Sequence, residues 1–141
     1  MTVSVRLWLA AAHHPAFRSG GWAYVRAGSE VVGEAGGERQ TERGAMVLAA
    51  LEAVLAGAPQ GPVMVQAGDV DAAAIAALAA EPALHKALSG RELRLVRLGE
   101  TAGTPLAFAQ AWADLAADRA KARGPFRAAI PKPNLAKVAG L

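Results

Sequence analysis

Apolar and polar positions change period several times along the chain, and each change marks an element. Residues 3–10, "VSVRLWLA", alternate and then run apolar, which predicts a strand. "AAAHHPAFRSGG" follows as a loop, punctuated by Pro15 and by Gly20-Gly21. Residues 22–28 predict a second strand turning at Gly28-Ser29, and residues 30–37 a third, ended by Gly36-Gly37. Val47, Leu48, Leu51, Val54 and Leu55 then fall on one helical face, predicting a helix over 42–56 with Thr41 as its cap and Gly57 and Pro59 as its stop. A fourth strand is expected at 62–68. A helix follows at 69–80, where Asp69 and Asp71 suit capping and the macrodipole. A short helix at 82–90 closes on Gly90, and 92–99 alternates strictly as a fifth strand. The last helix spans 104–124, with Pro105 near its start and Gly124 as its stop. Residues 125–141 hold three prolines and read as an extended tail or peptide-like arm.

The order β-β-β-α-β-α-α-β-α predicts an α/β fold with a mixed five-stranded sheet flanked by helices. Short turns join the first three strands as an antiparallel meander, while the later strands return through helices and should run parallel to the first. The expected organisation is one domain over 1–124 followed by a basic tail over 125–141.

Composition narrows the chemistry. The 141 residues suit one domain, and a 53% hydrophobic content supplies a core, although much of it is alanine. The absence of cysteine excludes disulfides, thiolate zinc sites and a cysteine nucleophile, and fits a cytoplasmic location. No run approaches the roughly 18 apolar residues of a membrane span. The net charge of +3 is unevenly spread. Residues 1–118 carry nine Lys/Arg against twelve Asp/Glu, a balance of −3, whereas 119–141 carry six Lys/Arg and no acid, +6.

The element order, with these loops, resembles the type 1 ribonuclease H family over residues 3–120. In that family strand one ends in Asp, and a glycine-rich loop closes with Gly-Gly-Tyr-Gly; here "AAAHHPAFRSGGWAY" closes with Gly20-Gly21-Trp22-Ala23. The family's first helix begins Thr-Asn-Asn-Arg-Met-Glu-Leu-Met-Ala-Ala; here "TERGAMVLAA" shares Thr41, Ala49 and Ala50. "VMVQAGD" stands at the strand ending in Thr-Asp-Ser, and "WADLA" at the helix carrying Cys-Asp-Glu-Leu-Ala.

The resemblance implies an enzyme that cleaves the RNA of RNA–DNA hybrids, with four carboxylates holding two magnesium ions. At those four positions this chain has Ala10, Met46, Gly68 and Ala113, with Ala111 the alternative for the last. None can donate the hard anionic oxygen that magnesium takes. The two Asn before the first helix become Glu42 and Arg43, and "GETAGT" offers no match for the histidine of the family's last loop. Only 45 positions separate Gly68 from Ala113, too few for the basic substrate-gripping insertion. The resemblance therefore implies the fold without the activity.

Other side chains have plain structural readings beside functional ones. Asp69 and Asp71 read as helix caps or, after a one-residue slip, as displaced metal ligands. Asp114 lies one residue from the last site, and one helical step turns it about 100° away. His13-His14 read as an exposed loop pair, with His85 on a distant helix and no third ligand at matching spacing. Glu42, Arg43 and Glu52 read as solvated helix charges; Trp8 and Trp22 read as core or loop-base residues, and Trp112 as core, although it is the aromatic best placed to face something else. Arg119, Lys121, Arg123, Arg127, Lys132 and Lys137 could lie along a phosphate backbone. Alternatively Phe126, Ile130, Leu135, Val138 and Leu141 could dock on another protein or a second copy, or the terminus could be disordered.

The expected function is a catalytically inactive ribonuclease H-like domain that binds or scaffolds, with weak nucleic-acid affinity and no cofactor. One alternative is a magnesium-dependent ribonuclease using Asp69, Asp71 and Asp114. Another is a homo-oligomeric interaction module with no nucleic-acid role. The partners these readings allow are an RNA–DNA hybrid or RNA, a protein, or a second copy; none involves a membrane.

Overall fold

The computed structural model describes residues 4–99 and 103–138; the predicted start of the first strand at Val3 and the anchor Leu141 lie outside them. Strands β1 (Val5–His14), β2 (Ser19–Arg26) and β3 (Val32–Glu38) precede helix α1 (Arg43–Gly57). Then come β4 (Val63–Gly68), α2 (Asp69–Ala77), α3 (Pro82–Leu88), β5 (Leu93–Leu98), α4 (Thr104–Arg123), β6 (Phe126–Ala129) and α5 (Lys132–Leu135). The sheet order is β5-β4-β1-β2-β3-β6. β1, β2 and β3 pair antiparallel, and β4 and β5 run parallel to β1. The α/β class and mixed sheet agree with the sequence reading.

The strand count does not: the sheet has six strands, because the expected arm supplies β6, antiparallel to β3. Its anchors turn inward. Ile130, Leu135 and Val138 are buried in this chain's own core, and the Ile130 N–H donates to the Gly33 carbonyl at 2.9 Å. These side chains pack into the fold of the chain itself.

Alternation along β1 divides the core. Leu7, Leu9 and Ala11 face a layer of α1, α2 and α3, together with Met46, Leu51, Val54 and Ile75. Ala10 and Ala12 face α4, with Ala23, Val25, Ala109, Ala113 and Ala117. The second layer is built from small residues, so α4 lies close against the sheet. A Cβ on Gly21 would overlap the Ala113 carbonyl oxygen and the Ala117 amide nitrogen, and one on Gly37 would come 2.8 Å from the Ala116 carbonyl oxygen. Gly36 lies under the Trp22 indole, where a Cβ would sit 2.5 Å from the ring.

These contacts correct the reading of the glycine pairs as breaks. Gly20-Gly21 and Gly36-Gly37 lie inside strands, where a backbone approaches too closely for a side chain. With the ladder uninterrupted, β1 runs on to His14, opposite Ser19, and the histidines belong to a strand rather than a loop. Thr41 does not cap α1. The cap position is Glu42, without a side-chain bond, while Thr41 uses its backbone: N–H to the Arg18 carbonyl at 2.8 Å, carbonyl to His13 Nε2 at 2.7 Å. Gly124 closes α4 with φ +95°, a left-handed value that favours glycine. Among the described residues no helix is long and apolar enough to cross a membrane.

Candidate functional site

β1 runs alongside β4 only from Val5 to Trp8, then continues alone on that side. Its backbone N–H and C=O at Ala11 are left without a strand partner, and buried backbone groups must be paired. Side chains take over that role. Asp71, on the first turn of α2 and 4% exposed, accepts the Ala11 N–H on Oδ2 at 3.1 Å. Arg43, on the first turn of α1, donates through Nη1 to Asp71 Oδ1 at 2.7 Å and to the Ala11 carbonyl at 3.0 Å. From α4, Gln110 Nε2 donates to the same carbonyl at 3.0 Å and to Asp114 Oδ1 at 3.1 Å. A polar chain thus links Asp71, Arg43, Ala11, Gln110 and Asp114.

The chain lies along a cleft of ≈ 630 Å³, lined also by Gly68, Asp69, Leu98 and Leu106. The cleft lies at the carboxyl ends of β4 and β5, the end of parallel strands where α/β sheets bind ligands. β4 passes directly into α2, which puts Asp69 and Asp71 at the rim.

The four positions matched to the ribonuclease H carboxylates do not meet. Ala10 on β1 and Ala113 on α4 are fully buried between that helix and the sheet, Met46 is buried on the opposite face, and Gly68 alone lines the cleft. The alternative, Ala111, is exposed. The acids that gather at the cleft are Asp69, Asp71 and Asp114. Asp114, expected to turn away, lines the cleft because Ala113 takes the sheet-facing position. Neither Asp69 nor Asp71 makes a side-chain cap bond; Gly68 is the cap of α2, and Asp69 pairs with Arg97 at 3.6 Å. Arg43 is no solvated charge, whereas Glu42 and Glu52 are exposed.

His13 and His14 point to opposite faces of β1. Their Nε2 atoms meet the Thr41 carbonyl at 2.7 Å and Asp118 Oδ1 at 3.1 Å, so the two rings do not converge, and His85 is exposed on α3. Trp8 and Trp22 are core; Trp112 is half-buried against Phe108. Of the tail cations, Arg127 forks onto Glu34 at 2.9 and 3.1 Å, and Lys132 meets Glu30 at 2.9 Å. Arg119 lies over the Phe126 ring and Lys121 over the Phe17 ring. Arg123 and Lys137 are exposed.

The donor set does not suit magnesium. Both Asp71 oxygens are taken, one by an N–H and one by a guanidinium that already neutralises the charge. Among the described residues no three His, Asp or Glu side chains are grouped to hold a metal ion. What the cleft offers is hydrogen-bonding groups and two exposed carboxylates, Asp69 and Asp114, suited to holding a ligand. Arg43, Asp71 and Gln110 as a connected set escaped the sequence reading, since their link is the unpaired Ala11 backbone. No protein-family model matches the chain, and no curated protein matches its sequence.

Proposed function

We propose that this chain is a non-catalytic binding module on a ribonuclease H-like fold. The observation that carries the reading is the Arg43 guanidinium, bound 2.7 Å from the buried Asp71 carboxylate. A metal-dependent nuclease needs several carboxylates around a shared cation; here an arginine neutralises the buried one, and Ala10, Met46 and Ala113 are packing residues. The strand order β5-β4-β1-β2-β3, with helical crossovers into β4 and β5, supports the resemblance in fold. The binding role rests on the cleft keeping its position and its polar lining while lacking a metal-binding donor set.

An RNA–DNA hybrid incubated with the purified chain and magnesium or manganese tests this. The strands should remain intact. Metal-dependent cleavage that disappears in Asp69→Asn would overturn the proposal.

A further inference from the structure

On α4, Trp112, Leu115, Ala116 and Arg119 form one face directed toward β6. Between that face and Phe126 lies a second, mostly apolar groove of ≈ 300 Å³, separate from the cleft. Leu115 is 60% exposed, a large apolar side chain with little covering it. Among the described residues, the only charged side chain lining the groove is Arg119. Across residues 119–138 the chain carries six cations and no acid; Arg127 and Lys132 are paired with Glu34 and Glu30, and Arg119 is exposed at the groove with no carboxylate partner among the described residues.

Among the described residues β6 is also the last strand of the sheet, with no strand on its outer edge. The Ile130 N–H bonds to Gly33, which fixes the phase of the ladder. Phe126 and Ala128 therefore turn their backbone groups to β3, while Arg127 and Ala129 turn theirs outward. The next outward positions on either side are Pro125 and Pro131, which have no N–H. The pairing edge is thus confined to one short stretch, a device that limits long edge-to-edge association. A second copy of this chain would also bring a second Arg119 toward this one. A short partner of opposite charge suffers neither penalty.

We propose that this edge and groove dock a short extended peptide in which apolar and acidic residues alternate, added to β6 as a seventh strand. Main-chain bonds to Arg127 and Ala129 hold such a strand, and its alternate side chains divide between the two faces of the sheet. Apolar ones enter the groove beside Leu115, Trp112 and Phe126. Acidic ones reach the other face, where the Arg127 side chain is 55% exposed while still holding Glu34. Arg119 adds positive potential at the groove and keeps N–H donors available while stacked on Phe126.

The probe is a short fluorescein-labelled peptide of alternating aspartate and leucine, followed by fluorescence anisotropy, with a lysine–leucine peptide as control. The aspartate peptide should bind more tightly, and Leu115→Glu should weaken it about tenfold or more. Arg119→Glu should weaken it too, and thermal melts check that both exposed-site variants stay folded. Amide hydrogen exchange gives an independent reading: binding should slow Arg127 and Ala129 and leave Ala128, already bonded to β3, unchanged. Equal binding of both peptides, no binding up to about 1 mM, or unchanged affinity in Leu115→Glu would overturn the proposal. So would a concentration-dependent dimer that Leu115→Glu dissolves, since a second copy would then be the occupant.

Discussion

Replacing Arg43 by alanine tests whether the cleft network is structural. Its Nη1 serves two acceptors, Asp71 Oδ1 at 2.7 Å and the Ala11 carbonyl at 3.0 Å. Removing it leaves the Asp71 carboxylate, 5% exposed as a side chain, with the Ala11 N–H alone. Breaking a fully buried ion pair costs roughly 3–5 kcal/mol. Two features reduce that figure. The Arg43 side chain is 34% exposed, so water can enter its place, and Gln110 still serves the Ala11 carbonyl. The expected loss is about 2 kcal/mol, or a fall in Tm of roughly 5 °C for a domain of this size. Urea unfolding at neutral pH, followed by circular dichroism, measures it. A double-mutant cycle with Asp71→Ala isolates the pair and should return a coupling of about 1 kcal/mol or more. A loss under about 0.5 kcal/mol with no coupling would refute the reasoning: water would then serve the end of β1 as well as the arginine does.

Met46→Glu should destabilise the fold by several kcal/mol, because Met46 is 2% exposed among apolar side chains and the new charge would have no partner; a variant as stable as the parent in urea would contradict this. Gly21→Ala should cost roughly 3 kcal/mol or more by overlap with α4, whereas Gly44→Ala, in α1 with nothing within 4 Å of the added Cβ, should gain about 0.5–1 kcal/mol; thermal melts of the two should move in opposite directions. Burial, then the hydrogen bond its hydroxyl donates to Glu34, holds Tyr24 protonated well above the ordinary tyrosine range. A raised folded pKa gives stability that is complete below the ordinary value near about 10 and is lost as pH rises through the folded value, so the parent should lose Tm above that point more steeply than Tyr24→Phe.

Legibility in the sequence followed how local each signal was. Alternation along residues 92–99 gave β5, and the helical spacing of Val47, Leu51 and Val54 gave α1 and its buried face. Gly20-Gly21 and Gly36-Gly37 misled because glycine under a helix and glycine in a turn are the same letter; the difference is a backbone from elsewhere in the chain. Pro125 and Pro131 suggested an unpaired arm, yet they flank a strand at positions whose missing N–H costs no bond to β3. At the cleft, Asp69, Asp71 and Asp114 were visible as acids, but their arrangement was not. Asp71 and Arg43 are 28 residues apart and meet because β1 outruns β4, a relation of strand lengths that no spacing records. Asp114 was misplaced for a similar reason: the phase of α4 is set by Ala113 against Gly21, a contact between distant parts of the chain.

The layer between α4 and the sheet has a consequence for how this protein tolerates change. Gly21 and Gly37 on the strands meet Ala113, Ala116, Ala117 and Ala120 on the helix, which leaves almost nothing to trim. Random substitution at an ordinary core position can err by shrinking or by growing. Here nearly every error is growth, and growth pushes a backbone rather than a pliable side chain. Drift is therefore a one-way ratchet along this seam, while the leucine- and valine-rich layer under α1 can exchange volume among its members. Variation compatible with folding should concentrate on the α1 side, and the helix that carries both Gln110 and Leu115 should keep its seat on the sheet even as those outward residues change.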